Sequence, residues 1–215
     1  MKKLIFICEG PTEQFFCKVI LENHFLALDI EIEYPLILHS NGGIVKWEHI
    51  KTQINNHYNT DNNVFITTFI DYYGMYDHHN FPDWTLAEAE PNKSSRMAIL
   101  EAGLLNDLNP SIKFIPYIQV HEFEALVFSK YLAFEDYYDS TDADYNALEN
   151  ICLTYPNPED INNSIATAPS KRLLNHIPRY LKTIDGIDII KSIGLQEVRN
   201  KCPRFNIWIT TLEGI

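Results

Sequence analysis

Apolar residues recur along this chain in two rhythms, one suited to buried strands and one to helices. Leu4-Ile5-Phe6-Ile7-Cys8 is continuous, as in a strand covered on both faces, and it stops at Glu9-Gly10-Pro11. From residue 12 to 27 the spacing becomes helical, with Phe16, Val19, Ile20 and Leu26 inward and Glu13, Gln14, Lys18 and Glu22 outward. A second strand is predicted from Glu31 to Leu38, halted by Asn41-Gly42-Gly43, a turn without the glycine spacing or lysine of a phosphate-binding loop. Residues 45–58 read as a helix, and Val64–Ile70, rich in β-branched and aromatic residues, as the clearest strand. That strand runs into Asp71-Tyr72-Tyr73-Gly74, then a polar and aromatic loop over 75–91. A helix over 96–108 ends at Asn109-Pro110, a fourth strand covers 113–120, and residues 122–128 open another helix.

The alternation predicts an α/β fold: a Rossmann-like, largely parallel four-stranded sheet flanked by helices. Past Ser129 the pattern loosens. A helix is expected from Asp144, a Pro/Asn-rich loop over 156–169, and short helices near 172–176, 186–193 and 195–201. Residues 1–130 are thus expected to form the α/β core, and 131–215 a mostly helical extension packed on it.

Composition narrows the class. With 46% hydrophobic residues the chain can bury a core. No apolar run approaches the roughly 18–20 residues of a membrane span, and only five apolar residues follow Met1-Lys2-Lys3 before Glu9, so a cytoplasmic protein without membrane association is expected. Cys8, Cys17, Cys152 and Cys202 show no metal-site spacing and read as reduced, packed thiols. The net charge of −12 excludes a general polyanion-coating protein. Yet residues 169–204 hold eight basic and three acidic residues, against nine and 26 elsewhere. Such a basic segment suits a phosphate-binding surface, and equally an attraction within the fold.

Three of the four predicted strands end in acidic residues: Glu9, Asp71 and the group His121-Glu122-Phe123-Glu124. In parallel sheets ligands bind beyond the carboxyl ends of the strands. Carboxylates gathered there repel unless a cation compensates, and oxygen ligands suit Mg²⁺ or Mn²⁺. Glu122 and Glu124 point about 200° apart at a helix start, whereas His121 and Glu124 share a face. His121 reads as ligand, acid–base group or hydrogen-bonded loop anchor.

Five ordered motifs span nearly the whole chain: Glu9-Gly10-x-Thr12-Glu13; Asp71-Tyr72-Tyr73-Gly74 followed by Phe81-Pro82; His121-Glu122-Phe123-Glu124-Ala125-Leu126-x-Phe128; Ala168-Pro169-Ser170-Lys171-Arg172; and Cys202-Pro203-x-Phe205-x-x-Trp208. Together they resemble a bacterial domain-of-unknown-function family regarded as Toprim-like, related to Toprim domains of topoisomerases, primases and overcoming-lysogenization-defect nucleases. The resemblance implies a Toprim fold in residues 1–130, with Glu9 in the place of the Toprim glutamate and Asp71 in that of the first aspartate. It implies a metal-dependent nuclease acting on nucleic acid, DNA above all, in phage defence or DNA processing beside an ATPase partner. Glu9, Asp71, His121, Glu124 and Lys171 are the catalytic candidates, and Glu9, Asp71, Glu122 and Glu124 the metal candidates. The chain departs from the Toprim pattern in one place. The usual Asp-x-Asp is here Asp71-Tyr72-Tyr73, so Glu122, Glu124 or Asp77 would have to replace the second aspartate, or the protein is a degenerate Toprim that serves as an interaction subunit.

Lys171 and Arg172 are the candidates for phosphate contact, with a surface pair as the alternative. Tyr72, Tyr73, Trp84 and Tyr117 offer rings for base stacking, most of them expected in the core.

Overall fold

The computed structural model describes residues 1–40, 43–161, 164 and 166–215. Asn41 and Gly42 of the expected turn, and Asn162, Asn163 and Ile165 of the expected Pro/Asn-rich loop, lie outside the described residues. The chain forms two compact units, Met1–Val120 with Thr211–Ile215, and His121–Thr210.

The first unit is α/β. Strand β1 (Lys2–Cys8) leads to a helix over 11–26, α1, in which α-helical Pro11–Phe16 and Glu22–Leu26 flank a π-helical turn, Cys17–Leu21. Then come β2 (Ile30–Glu33), α2 (Trp47–Thr60), β3 (Phe65–Asp71), α3 (Trp84–Ala89), α4 (Lys93–Asn106), β4 (Lys113–Ile115) and β5 (Ile118–Gln119). All pairings are parallel and the order is β2-β1-β3-β4, with β5 also on β3.

Two prolines reshape the expected strands, because proline brings no N–H to a ladder. β2 stops at Glu33, and beyond Pro35 the chain rejoins β1 only as a bridge from Cys8 to Leu36. The expected fourth strand is cut at Pro116 into β4 and β5. Both pieces keep one register on β3, Thr67 opposite Ile115 and Ile70 opposite Ile118. Thr68 fills the gap: its hydroxyl accepts the Tyr117 N–H at 3.0 Å and donates to the Tyr117 carbonyl at 3.0 Å.

Alternation along the strands sends side chains to both faces. Ile5, Ile7, Ile66 and Ile70 join Ile50 and Ile54 of α2 and Leu100 and Leu104 of α4 in one buried cluster. On the other face Phe6 meets Phe25, and Phe69 meets Phe16, at ring separations of 5.8 and 5.7 Å. Burying such aromatic and branched side chains contributes roughly 1.5–3 kcal/mol each, so the covered sheet is the stable frame of the unit. Cys8 and Cys17 are buried free thiols with sulfurs 3.9 Å apart.

The second unit is helical. Its spine is a 3₁₀ segment, Phe123–Ser129, in which all seven residues are buried. Along the chain follow α5 (Leu132–Tyr137), α6 (Tyr145–Thr154), a 3₁₀ turn Pro158–Asp160, α7 (Pro169–His176), α8 (Asp185–Ile193), α9 (Leu195–Lys201) and α10 (Pro203–Glu213), of which the residues from Thr211 on belong to the first unit. α6, α7, α8 and α9 pack on the spine. Sequence periodicity assigned the spine to an ordinary helix start, but the tighter turn places both its polar and apolar side chains indoors. No helix among the described residues is long and apolar enough to cross a membrane.

Candidate functional site

In the first unit β1 and β3 are central neighbours, and the chain leaves β1 toward β2 on one side while β3 and β4 lie on the other. This is a topological switch point, where an open parallel sheet leaves a crevice past its strand ends. Glu9 and Asp71 flank it. The Glu9 N–H donates to the Phe69 carbonyl at 3.0 Å, which holds the residue in line with β3. Its Oε2 accepts the Asp71 N–H at 2.9 Å. Asp71, the last residue of β3, is buried, while Glu9 is half-buried.

Gly10 and Pro11 turn the chain beside Glu9 from β1 into α1. Gly10 is extended (φ −147°), a conformation open to any residue. Its constraint is closeness: its N–H donates to Glu13 Oε2 at 2.9 Å, and an added Cβ would stand 3.3 Å from the same oxygen. Pro11 occupies the first helical turn, where its missing N–H costs nothing.

A cavity of about 380 Å³ opens beside Glu9, lined also by Tyr73, Gly74, Tyr76, His78 and His79, with Gly43 and Ile44. The histidines come from a 3₁₀ turn, Asp77–His79. The turn is closed by the His79 N–H donating to the Tyr76 carbonyl at 2.9 Å and the Tyr76 N–H donating to His79 Nδ1 at 3.0 Å. Since Nδ1 accepts, the neutral His79 ring carries its proton on Nε2. Partial burial, with the adjacent His78, holds the His79 pKa below the ordinary imidazole value. The two imidazoles are 4.1 Å apart. Sequence reading passed over both, although their position after an aromatic strand end was visible. Asp77 is exposed and lines a separate depression of about 770 Å³ with Asp83, Phe81 and Trp84.

The other expected site residues belong to the second unit. His121, its first residue, is fully buried and holds a left-handed backbone (φ 68°), uncommon for a side-chain-bearing residue. Glu122 is buried and accepts the N–H and the hydroxyl of Ser170 at 2.9 Å each, at the start of α7. Glu124 is wholly buried and ion-paired with Lys182, whose Nζ lies 3.0 Å from Oε1. Burial raises the Glu124 pKa from 4.5 to about 7, against the pull of Lys182 and with a push from Glu122. Lys171 is exposed. Arg172 is spent on its own unit: its Nε donates to the Thr167 carbonyl at 2.8 Å and its guanidinium lies 5.1 Å over the Tyr155 ring. Of the expected stacking rings, Tyr117 is buried and bonded to Gln119, and Tyr72 and Trp84 stack on each other at 6.2 Å.

Sequence reading also missed two carboxylate anchors. Lys182 faces Glu124, and the buried Glu159 accepts the N–H groups of Arg204 and Phe205 at 2.9 Å each.

Among the described residues, no group of three or more His, Cys, Asp or Glu side chains is placed to hold a metal ion. Glu9 and Asp71 form an oxygen-only pair, which suits Mg²⁺ or Mn²⁺. Such ions commonly take one or two protein carboxylates and complete their shell with water and phosphate oxygens. On donor chemistry the pair fits.

Fold and edge together define a Rossmann-like α/β protein with an acidic pair at its switch point, followed by a helical unit. Residues 8–213 match the family described as domain of unknown function (DUF4276), and the chain belongs to that family. Neither the curated proteins nor the solved structures contain a match.

Proposed function

We propose that this protein is a Mg²⁺- or Mn²⁺-dependent phosphodiesterase of Toprim type that cleaves nucleic acid, DNA in the first place. The observation that carries the reading is the Glu9–Asp71 pair, fixed by the 2.9 Å bond from the Asp71 N–H at the carboxyl edge of β1 and β3. In the Toprim resemblance these two residues occupy the places of the glutamate and the first aspartate. A divalent cation held there supplies polarisation of the phosphoryl group and stabilisation of the leaving oxygen. Glu9 and Asp71 hold that charge in place; the buried sheet beneath them keeps both strand ends still, so little reorganisation is needed on binding. His121, Glu122, Glu124, Lys171 and Arg172 lie in the second unit, where Glu122, Glu124 and Arg172 already have partners. The reading therefore rests on Glu9 and Asp71. A role in phage defence beside an ATPase follows from the same resemblance.

The test is incubation of the purified protein with plasmid and linear DNA in Mg²⁺, Mn²⁺ or EDTA. Cleavage in either metal, absent in EDTA and lost in Glu9→Gln, is expected. Cleavage that persists in Glu9→Gln removes this site from the reaction.

Tyr73 favours a second reading. It stands where a Toprim would carry its second aspartate, and it lines the cavity beside Glu9. On that reading the protein keeps the fold as a non-catalytic subunit of an ATPase. Absence of cleavage in every metal, with a changed ATPase rate on mixing with a partner ATPase, would favour it.

A further inference from the structure

We infer that the cavity beside Glu9 receives one unpaired nucleobase, so that the substrate is presented as a single strand or a splayed end rather than as intact duplex. This rests on the nucleic-acid reading above and specifies its substrate.

The cavity, at about 380 Å³, lies toward the small end of the roughly 300–1,000 Å³ range of small-molecule sites. A space of that size admits a single base. Its walls have the right chemistry. Tyr76 and His78 present nearly parallel rings, 13° apart in plane with centroids 5.7 Å apart, and His79 sits 4.1 Å from His78. Tyr76 is 60% exposed, so its ring is not committed to the core. The next aromatic along the chain, Phe81, is buried 6.1 Å from Trp47 and anchors the turn. The turn is closed by two hydrogen bonds between Tyr76 and His79 and stopped by Asn80 in a left-handed conformation (φ 55°). Rings presented on a closed turn and left open to solvent offer a stacking platform, since every base has a π-face.

Charge points the same way. The first unit carries eight Lys and Arg against sixteen Asp and Glu, too acidic to hold a phosphate backbone by general attraction. Stacking, together with a cation at Glu9 and Asp71, can retain a strand where electrostatics cannot. The His79 Nε2–H, fixed by the bond at Nδ1, supplies a donor for a base edge or sugar hydroxyl.

Fluorescence anisotropy tests this on the full chain. A labelled oligothymidylate and a blunt duplex of equal length are titrated with Ca²⁺ replacing Mg²⁺ to suppress cleavage. The single strand is expected to bind at least tenfold tighter than the duplex. Tyr76→Ala and His78→Ala should each weaken it by about five- to hundredfold, the span of one stacked base, while Tyr76→Phe stays within about twofold. Both residues are exposed, and unchanged melting of the variants would show that the loss is local. Equal binding of duplex and single strand, or alanine variants that bind like the parent, overturns the inference and leaves the nuclease reading intact. Failure of the parent to bind or cut any nucleic acid overturns both.

Discussion

Glu9 Oε2 accepts the backbone N–H of Asp71 at 2.9 Å, so the strand that carries one carboxylate positions the other. Two acids could meet at a sheet edge by mobile side chains alone. Here the Glu9 carboxylate is tied to the backbone of Asp71 and is held in place before any ligand arrives. A carboxylate held in this way would lower the ordering cost of binding a cation of the kind proposed above.

Glu9→Gln separates alignment from charge. The amide oxygen can still accept the Asp71 N–H, so the melting temperature should stay within about 2 °C of the parent. The negative charge is gone, and calorimetric Mn²⁺ affinity should fall by tenfold or more. A variant that binds Mn²⁺ as tightly as the parent would exclude Glu9 as a ligand. Asp71→Asn should behave alike in affinity.

Glu124 makes the stability pH-dependent. Its carboxyl titrates at about 7 in the folded chain and near 4.5 when unfolded, because burial disfavours the charged form. Between those values the folded state holds the extra proton. Stability therefore falls as pH rises through the window, by an amount on the order of 3 kcal/mol at full ionisation. Glu124→Gln keeps the shape and cannot ionise, so its urea midpoint should decline much less from pH 5 to 8. Parallel profiles for parent and variant would show that Glu124 does not titrate in this range.

The frame was legible where one short segment carried its own signal. β1 is legible from apolar continuity and β3 from its β-branched and aromatic residues, because central strands of a parallel sheet are covered on both faces. Glu9 and Asp71 stood out because a carboxylate ends each run. Pro35 and Pro116 were visible too, but their effect depended on partners: only the Thr68 hydroxyl, on another strand, lets β4 and β5 keep one register. The second unit was harder. Glu124 with Lys182 and Glu159 with Arg204 are pairings between distant segments, and no periodicity announces them. The buried spine Phe123–Ser129 has apolar and acidic residues side by side, so neither helical nor strand rhythm describes it.

Lys171 and Arg172, adjacent in sequence, should separate in experiment. Arg172 braces Thr167 and Tyr155, so Arg172→Ala should lower stability by about 1–2 kcal/mol in urea unfolding. Lys171 is exposed, and Lys171→Ala should leave stability unchanged. If Lys171 contacts a phosphate, that variant flattens the log–log salt dependence of nucleic-acid binding by about one unit. An unchanged slope would return Lys171 to an ordinary surface position.

Glu122 poses the sharpest choice between ligand and brace. Both its oxygens are engaged by Ser170, one by the N–H and one by the hydroxyl, each at 2.9 Å. Ser170 lies in the first turn of α7, whose opening N–H groups lack partners within the helix. A carboxylate there satisfies a donor and opposes the positive end of the helix dipole. Glu122→Ala should therefore lower stability by about 1–3 kcal/mol, and Glu122→Gln by less, since the amide oxygen still accepts one bond. Ser170→Ala removes the hydroxyl alone and should reproduce part of the loss. A metal ligand would behave in the opposite way: Glu122→Gln would keep its stability and lose Mn²⁺ affinity. Urea unfolding and Mn²⁺ calorimetry on the same three variants decide between the roles. Lost affinity with unchanged stability would return Glu122 to the metal site.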